Sequence, residues 1–235
     1  MKDFLNKIRD FNKEDGDNST QKTIMFFAFY LVFFAILFGV IIFGGDKNYL
    51  HQEYEKGNNS FNNKGVLNKN FVYDYKITKD EVLYDYYGKR YGDVESFKYN
   101  NEDYYRDKNE YFVNKNPWTK CDNPYQFYEF IDFENLAMII SKATFMVKKD
   151  LDSGGVEYHY LITNNTLNQI LYNENTDYDD DADSIDIVTD SSNNVSKITY
   201  QLEHFCSRRN NCNTLTIEMN FEMFGSVTKI DNPIA

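Results

Sequence analysis

Residues 71–93, FVYDYKITKDEVLYDYYGKRYGD, decide the fold class. Phe71, Tyr73, Tyr75 and Ile77 alternate with Val72, Asp74, Lys76 and Thr78, the period of a half-buried strand. Lys79-Asp80-Glu81 turns the chain, and residues 82–91 form a second strand that ends at Gly92-Asp93. On that strand Tyr84 and Tyr86 share one face, while Tyr87 and Tyr91 share the other with Leu83. Aromatic rings on both sides predict a strand covered on both faces or lying beside a concave surface. Gly88 marks a bend or a close backbone approach. Tyr84, Tyr86, Tyr87, Lys89, Arg90 and Tyr91 together make the candidate ligand site, stacking rings beside two cations suited to an anionic headgroup. The competing reading is the central hairpin of a sheet, with charged residues on a solvated face.

Working outward, the period of two continues through 95–99, 102–106 and 110–113, with turn signals every 8–10 residues, the mark of an antiparallel meander. The pattern breaks at Asn116-Pro117-Trp118. From Asp132 the residues Phe133, Leu136, Ile139, Ile140 and Ala143 share one helical face and Asp132 stands as the cap, which predicts a helix of about three turns. Strands resume at 144–149 and 156–163, a short helix covers Thr166 to Tyr172, and strands near 184–189, 195–205 and 214–224 close the chain. The expected fold is α+β and mainly antiparallel, a curved sheet or unclosed barrel with one or two short helices, spanning residues 71–235. A chain of that length buries about 70% of its unfolded surface, enough for a real core.

Before this domain, residues 23–43, TIMFFAFYLVFFAILFGVIIF, form an uncharged apolar run. At about 1.5 Å per residue its length matches the roughly 30 Å hydrocarbon layer of a bilayer. It is too long for the apolar region of a cleavable signal, and no small-residue cleavage site follows. Residues 23–43 are therefore expected to form a transmembrane helix, with partner the membrane bilayer. Lys2, Lys7, Arg9, Lys13 and Lys22 precede it, against Lys47 and Lys56 soon after. That bias places a tail, residues 1–22, in the cytoplasm and the C-terminal domain outside, a single-pass arrangement in the cell membrane. Residues 44–70, rich in Asn, Lys and Gly, read as a stalk. The tail's five acids balance its five bases, so the formal charge of −12 belongs to the part beyond the membrane. Such an acidic balance argues against nucleic acid, which needs clustered Lys and Arg.

Cys206 and Cys212 bracket a short loop between two strands, and outside a cell they are candidates for a disulfide. Pairing Leu202 with Leu215 and Tyr200 with Ile217 sets Cys206 opposite Asn211, so the bridge requires a bulge or an irregular loop. Cys121 reads as a small buried apolar residue. The histidines (His51, His159 and His204) stand far apart, and no Cys-x-x-Cys is present. The segment TDYDDDADSIDIVTD, 176–190, places acids on alternate positions of a calcium-loop template. Ca2+ at Asp177, Asp179, Asp181 and Asp183 is the one cofactor it suggests. Ser184 in place of the template glycine favours a solvated acidic loop. No nucleophile elbow, Walker loop or His-Glu-x-x-His is present, so no catalytic residue is assigned.

The hairpin at 71–93, the helix IDFENLAMIISKA (131–143) and the hairpin SIDIVTDSSNNVSKITYQLEHF (184–205) resemble the LolA/LppX/RseB-like lipoprotein-carrier fold over residues 71–224. The resemblance implies an unclosed antiparallel sheet wrapped round helices, with an apolar cavity for acyl chains. An anchor departs from soluble carriers and suits a tethered receiver or sensor. The composition, high in Asn, Lys, Tyr, Phe and Ile, fits a bacterium with an AT-rich genome. The expected function is a non-catalytic envelope protein whose outer domain binds a lipid or a protein partner. The alternatives are a scaffold or regulatory protein without a cavity, and a tethered carboxylate-dependent hydrolase.

Overall fold

The computed structural model describes residues 47–63, 70–175, 181–207 and 211–234. The expected tail and membrane span, residues 1–43, lie outside these, as do Asp177 and Asp179. Among the described residues no helix is long and apolar enough to cross a membrane. Residues His51–Ala235 form one compact unit.

The strands are β1 (Asn70–Lys79), β2 (Val82–Tyr91), β3 (Val94–Tyr99), β4 (Glu102–Asp107), β5 (Glu110–Asn114) and β6 (Trp118–Cys121), then β7 (Thr144–Asp150), β8 (Val156–Thr163), β9 (Ala182–Thr189), β10 (Val195–Ser207) and β11 (Asn211–Glu222). The helices are α1 (Lys47–Asn63), α2 (Tyr128–Ile131), α3 (Phe133–Lys142) and α4 (Asn164–Tyr172). All eleven strands join one sheet in the order β6-β5-β4-β3-β2-β1-β11-β10-β9-β8-β7. Every neighbouring pair is antiparallel. The sheet is thus two meanders meeting at the central β1–β11 pair, and β6 and β7 are its open edges.

The alternation legible in the sequence sets the faces. Phe71, Tyr73, Tyr75 and Ile77 are buried, and across the β1–β11 pair they meet a second buried row that includes Ile217, Met219 and Phe221. The β1–β2 turn places Asp80 and Glu81 at φ 46° and 71°, and Asn100-Asn101 repeats the form at 50° and 64°. Two consecutive residues at positive φ make the tight turn that matches strand twist. Asp132 caps α3 as expected, its side chain accepting from the amides of Glu134 and Asn135. The buried face of α3 (Phe133, Leu136, Ile139 and Ile140) closes over the sheet.

Four expectations need correcting. The segment expected to be a stalk contains α1. Its Glu53 and Gly57, one helical turn apart, are buried, and the Tyr54 hydroxyl donates to the Ser141 carbonyl at 2.6 Å. Tertiary contacts, not propensity, hold this Asn-rich helix. The outer side of β2 is open: Leu83, Tyr87 and Tyr91 are 57%, 60% and 41% exposed. The break after Asn116 is followed by a further edge strand, β6, which carries Trp118 onto an outer-face cluster with Tyr105 and Phe112. Finally, α2 adds a third short helix after residue 70.

Cys206 and Cys212 form a disulfide. Leu202↔Leu215 and Tyr200↔Ile217 pair in the ladder, and a register shift between Leu202 and Phe205 brings Cys206 opposite Cys212. The shifted segment is held in part by Asp183 on β9, whose Oδ1 accepts from the Glu203 amide at 2.9 Å.

Candidate functional site

The covered face of the sheet divides into two regions of different chemistry. Strands β1 to β5 contribute aromatic rings and one buried charge cluster. Glu95 on β3 is 3% exposed, and its Oε1 receives Arg90 Nη1 at 3.1 Å and Arg106 Nη1 at 2.9 Å. Antiparallel pairing explains the convergence, since Glu95 stands opposite Arg90 on β2 and Arg106 on β4. Its Oε2 accepts from the hydroxyls of Tyr125 at 3.0 Å and Tyr73 at 3.3 Å, and these two hydroxyls lie 2.6 Å apart. The guanidinium groups lie over rings, Arg90 4.6 Å from the Phe133 centroid and Arg106 5.4 Å from that of Tyr111.

Burial, reinforced by the Glu95 charge, holds the Tyr73 and Tyr125 hydroxyls well above their ordinary pKa. They therefore remain donors at any physiological pH. Burial works most strongly against the Arg106 charge, but Glu95 together with Tyr128 and Tyr111 outweighs it and its pKa is raised. Every charged group here is engaged by another, and the rings pack face to face: Phe97 stacks on Tyr104 at 5.2 Å and on Tyr125 at 4.6 Å. Gly88 lets this happen, because a Cβ there would sit 2.5 Å from Phe97 Cβ and 2.7 Å from the Tyr73 ring. This region is a filled, internally satisfied core.

Strands β8 to β11 line the covered face with aliphatic side chains: Ile162, Ile185, Ile187, Ile198, Leu202, Leu215 and Ile217. Three tyrosines interrupt them. Tyr158, Tyr160 and Tyr200 are wholly buried, and their hydroxyl oxygens have no hydrogen-bond partner among the described residues. Tyr160 and Tyr200 both stand opposite Ile185, one from each side of β9. Burial raises the pKa of all three hydroxyls. The covering elements differ: α2 places Phe130 against Tyr200 with ring centroids 6.0 Å apart, whereas α1 lies over β8. A Cβ on Gly57 would stand 2.2 Å from the Tyr160 hydroxyl and 3.2 Å from the Tyr158 ring, so only glycine allows this approach. Tyr54 meets Tyr160 edge-on at 6.4 Å, and Glu53 pairs with Lys148 at 3.1 Å beside it.

The residues singled out on β2 are parted by the strand's own alternation. Tyr84, Tyr86 and Arg90 point to the covered side, and Tyr87, Lys89 and Tyr91 to the outer one. Arg90 is ion-paired with Glu95, and the Tyr86 hydroxyl donates to the Pro124 carbonyl at 3.2 Å while accepting from the Gln126 amide at 2.9 Å. The six do not form one site. Of the acidic loop, Asp183 is buried in β9 beneath the shifted segment of β10. Among the described residues no group of three His, Cys, Asp or Glu side chains is placed to hold a metal ion. His159 and Asp186 come together on the outer face at 2.6 Å, both partly exposed, a solvated pair rather than part of a cleft.

No protein-family model matches the chain, and no curated protein matches its sequence. Solved structures similar to it include LprF from Mycobacterium bovis, at TM-score 0.48 and 9% identity over 80% of this chain and 98% of that one. A DUF1329 family protein from Desulfovibrio piger matches at TM-score 0.29 and 10% identity, over 79% of this chain and 97% of that one. A putative outer membrane lipoprotein-sorting protein domain from Vibrio parahaemolyticus matches at TM-score 0.26 and 9% identity, over 78% and 93%. The open antiparallel sheet with helices over one face is the architecture that the lipoprotein-carrier resemblance implies.

The Glu95 cluster and the three hydroxyls escaped sequence reading. Polar residues on alternate positions of β2, β3 and β4 signal the first once the register is known. The sequence signal for the second is Tyr158 and Tyr160 at alternate positions, on the strand face they share with Val156 and Ile162.

Proposed function

We propose that this chain is a non-catalytic, membrane-anchored envelope protein whose β-rich domain receives a lipid on the covered face of strands β8 to β10. The observation that carries the reading is the set of three fully buried hydroxyls of Tyr158, Tyr160 and Tyr200, set among aliphatic side chains and without a hydrogen-bond partner among the described residues. Buried polar groups in folded proteins are nearly always paired, and each exception calls for an explanation. A ligand with a long apolar body and a few polar atoms supplies one.

The element over two of these hydroxyls is suited to yield. Helix α1 contains Gly57, Asn58, Asn59, Asn62 and Asn63, all poor helix formers, and its hold depends on Tyr54, the Glu53–Lys148 pair and the close approach at Gly57. Elements of low intrinsic stability are the ones that open locally. A lipid entering beside β8 takes the place of α1. The disulfide between Cys206 and Cys212 accords with an oxidising compartment outside the cytoplasm, and residues 23–43 provide the single-pass anchor.

A protein partner is the second reading, and the exposed Leu83, Tyr87 and Tyr91 favour it. Asp85 and Lys89 interleave with them on the same face of β2, so the patch is broken by charge. The lipid reading is preferred for that reason. The test is mass spectrometry of lipids extracted from the full chain, purified in mild detergent from its own membrane. A lipid at near-equimolar ratio is expected, and a preparation free of bound lipid overturns the proposal.

A further inference from the structure

Resting on the membrane-anchored part of that reading, we infer that the β7 edge of the sheet is a membrane-contact surface, lying at headgroup level on the bilayer that holds the chain. β7 pairs only with β8, so one side of its backbone is left without a ladder. The run that leads into it carries three of the ten large apolar side chains exposed among the described residues: Met138 at 45%, Met146 at 47% and Val147 at 56%. Met146 falls where the β7–β8 register shifts, between Phe145↔Tyr160 and Val147↔His159, and a bulge of this kind turns a side chain out of the ladder. An apolar open edge is a hazard in water, and native proteins blunt or cover such edges.

Its place in the chain says what covers it. Helix α1, which follows the apolar run 23–43, is fastened beside this edge. Tyr54 donates to the carbonyl of Ser141, one helical turn after Met138, and Glu53 pairs with Lys148, the neighbour of Val147, at 3.1 Å. Extended chain from Phe43 to Lys47, then helical rise to Tyr54, spans at most about 25 Å, so the edge stays near the bilayer surface while α1 is docked. Lys142 and Lys149 are exposed on the same run, and long stems of this kind cover apolar surface while their ammonium groups reach lipid phosphates. Asp150 is exposed at the end of β7 and Glu157 stands opposite Lys149, so the apolar side chains, not net charge, drive the contact. The open backbone of β7 sets the depth, because unpaired N–H and C=O groups must stay where water and headgroups reach them.

The experiment places the full chain in nanodiscs of phosphatidylcholine, part of it carrying a nitroxide on the choline headgroup. Trp118, the one tryptophan of the chain, sits on β6 and reports from the opposite edge of the sheet. Val147→Trp combined with Trp118→Phe moves the reporter to β7, at a position exposed enough to take the larger ring. The nitroxide is expected to remove most of the β7 emission and little of the Trp118 emission. Adding Met138→Gln and Met146→Gln to the β7 reporter should restore most of what was lost, and both side chains are exposed, so the fold is not put at risk. Equal quenching at both edges, or a β7 reporter still quenched after both methionines are replaced, overturns the assignment. Quenching at neither edge means that β7 stands open or is covered by a second copy; the docking is then overturned and the anchored reading stands. A chain that fails to enter the discs overturns the anchored reading, and the docking with it.

Discussion

In strands β1 to β5, the buried hydroxyls of Tyr73 and Tyr125 meet at 2.6 Å and converge on Glu95; in strands β8 to β10, those of Tyr158, Tyr160 and Tyr200 meet no partner among the described residues. Both regions lie on the same face of one sheet and use the same residue type. They differ in what surrounds the oxygen. In the first, two arginines, a carboxylate and the 122–128 segment were brought close by the register and by the chain's path over the sheet. In the second, isoleucine and leucine fill the positions that might have carried partners, and a glycine in α1 presses against the Tyr160 hydroxyl. Polarity turned inward makes a fixed core. Polarity left without such partners in an apolar setting is the observation on which the proposed lipid site rests.

The comparison breaks most severely at Glu95. Replacing it with Gln removes the one anion shared by Arg90 and Arg106, whose side chains are 12% and 11% exposed. An uncompensated buried charge costs about 3–5 kcal/mol, and Glu95→Gln should lower stability by that order in urea unfolding followed by circular dichroism. A loss under about 1 kcal/mol would mean that the arginines find solvent, and the cluster would no longer count as internally satisfied. Lipid binding on β8 to β10 should survive in whatever fraction remains folded.

Two further changes probe each region separately. Gly88→Ala places a methyl group against Phe97 and Tyr73, and overpacking of this kind costs about 1–3 kcal/mol. Should the variant prove as stable as the parent, the rings there have room to move and the aromatic region is not tightly filled. In the other region, Cys206→Ser opens a bridge with a sequence separation of 6, which in the loop-entropy view is worth about 2 kcal/mol. Cys206 also takes part in holding α4, since its carbonyl accepts from Asn168 Nδ2 at 2.9 Å and its amide donates to Asn164 Oδ1 at 3.2 Å. Hydrogen exchange in α4 should therefore quicken in the variant, while amides of β3 and β4 keep their protection.

Local chemistry made much of the sheet legible beforehand. The alternation from Phe71 to Ile77, the Asp132 cap and the need for a bulge near the cysteines follow from residue types at fixed spacing. Helix α1 was not legible, because Gly and Asn oppose helix locally and the compensating contacts come from Ser141 and Lys148, far along the chain. Neither was the Glu95 cluster, whose partners Arg106, Tyr73 and Tyr125 lie 11, 22 and 30 residues away. Tyr84 to Tyr91 drew notice as a dense stretch, yet density along a strand scatters side chains to both faces. The unpartnered hydroxyls are the hardest case: whether a tyrosine oxygen is bonded depends wholly on what folds over it.

The mildest test applies one substitution to both regions and asks for opposite signs. Tyr125→Phe removes a donor to Glu95 and the partner of the Tyr73 hydroxyl, so buried acceptors lose a bond; a loss of about 1–2 kcal/mol is expected. Tyr200→Phe removes an oxygen that is buried without a partner, and relieving that desolvation should leave the ligand-free protein unchanged or more stable by up to about 1 kcal/mol. Measured side by side in urea, the two midpoints should move apart on either side of the parent. If Tyr200→Phe destabilises as much as Tyr125→Phe, its hydroxyl is bonded within the folded protein, and the distinction between a satisfied and an open region disappears. Adding lipid sharpens the contrast further: a bound lipid should stabilise the parent and Tyr125→Phe by similar amounts, and Tyr200→Phe by less.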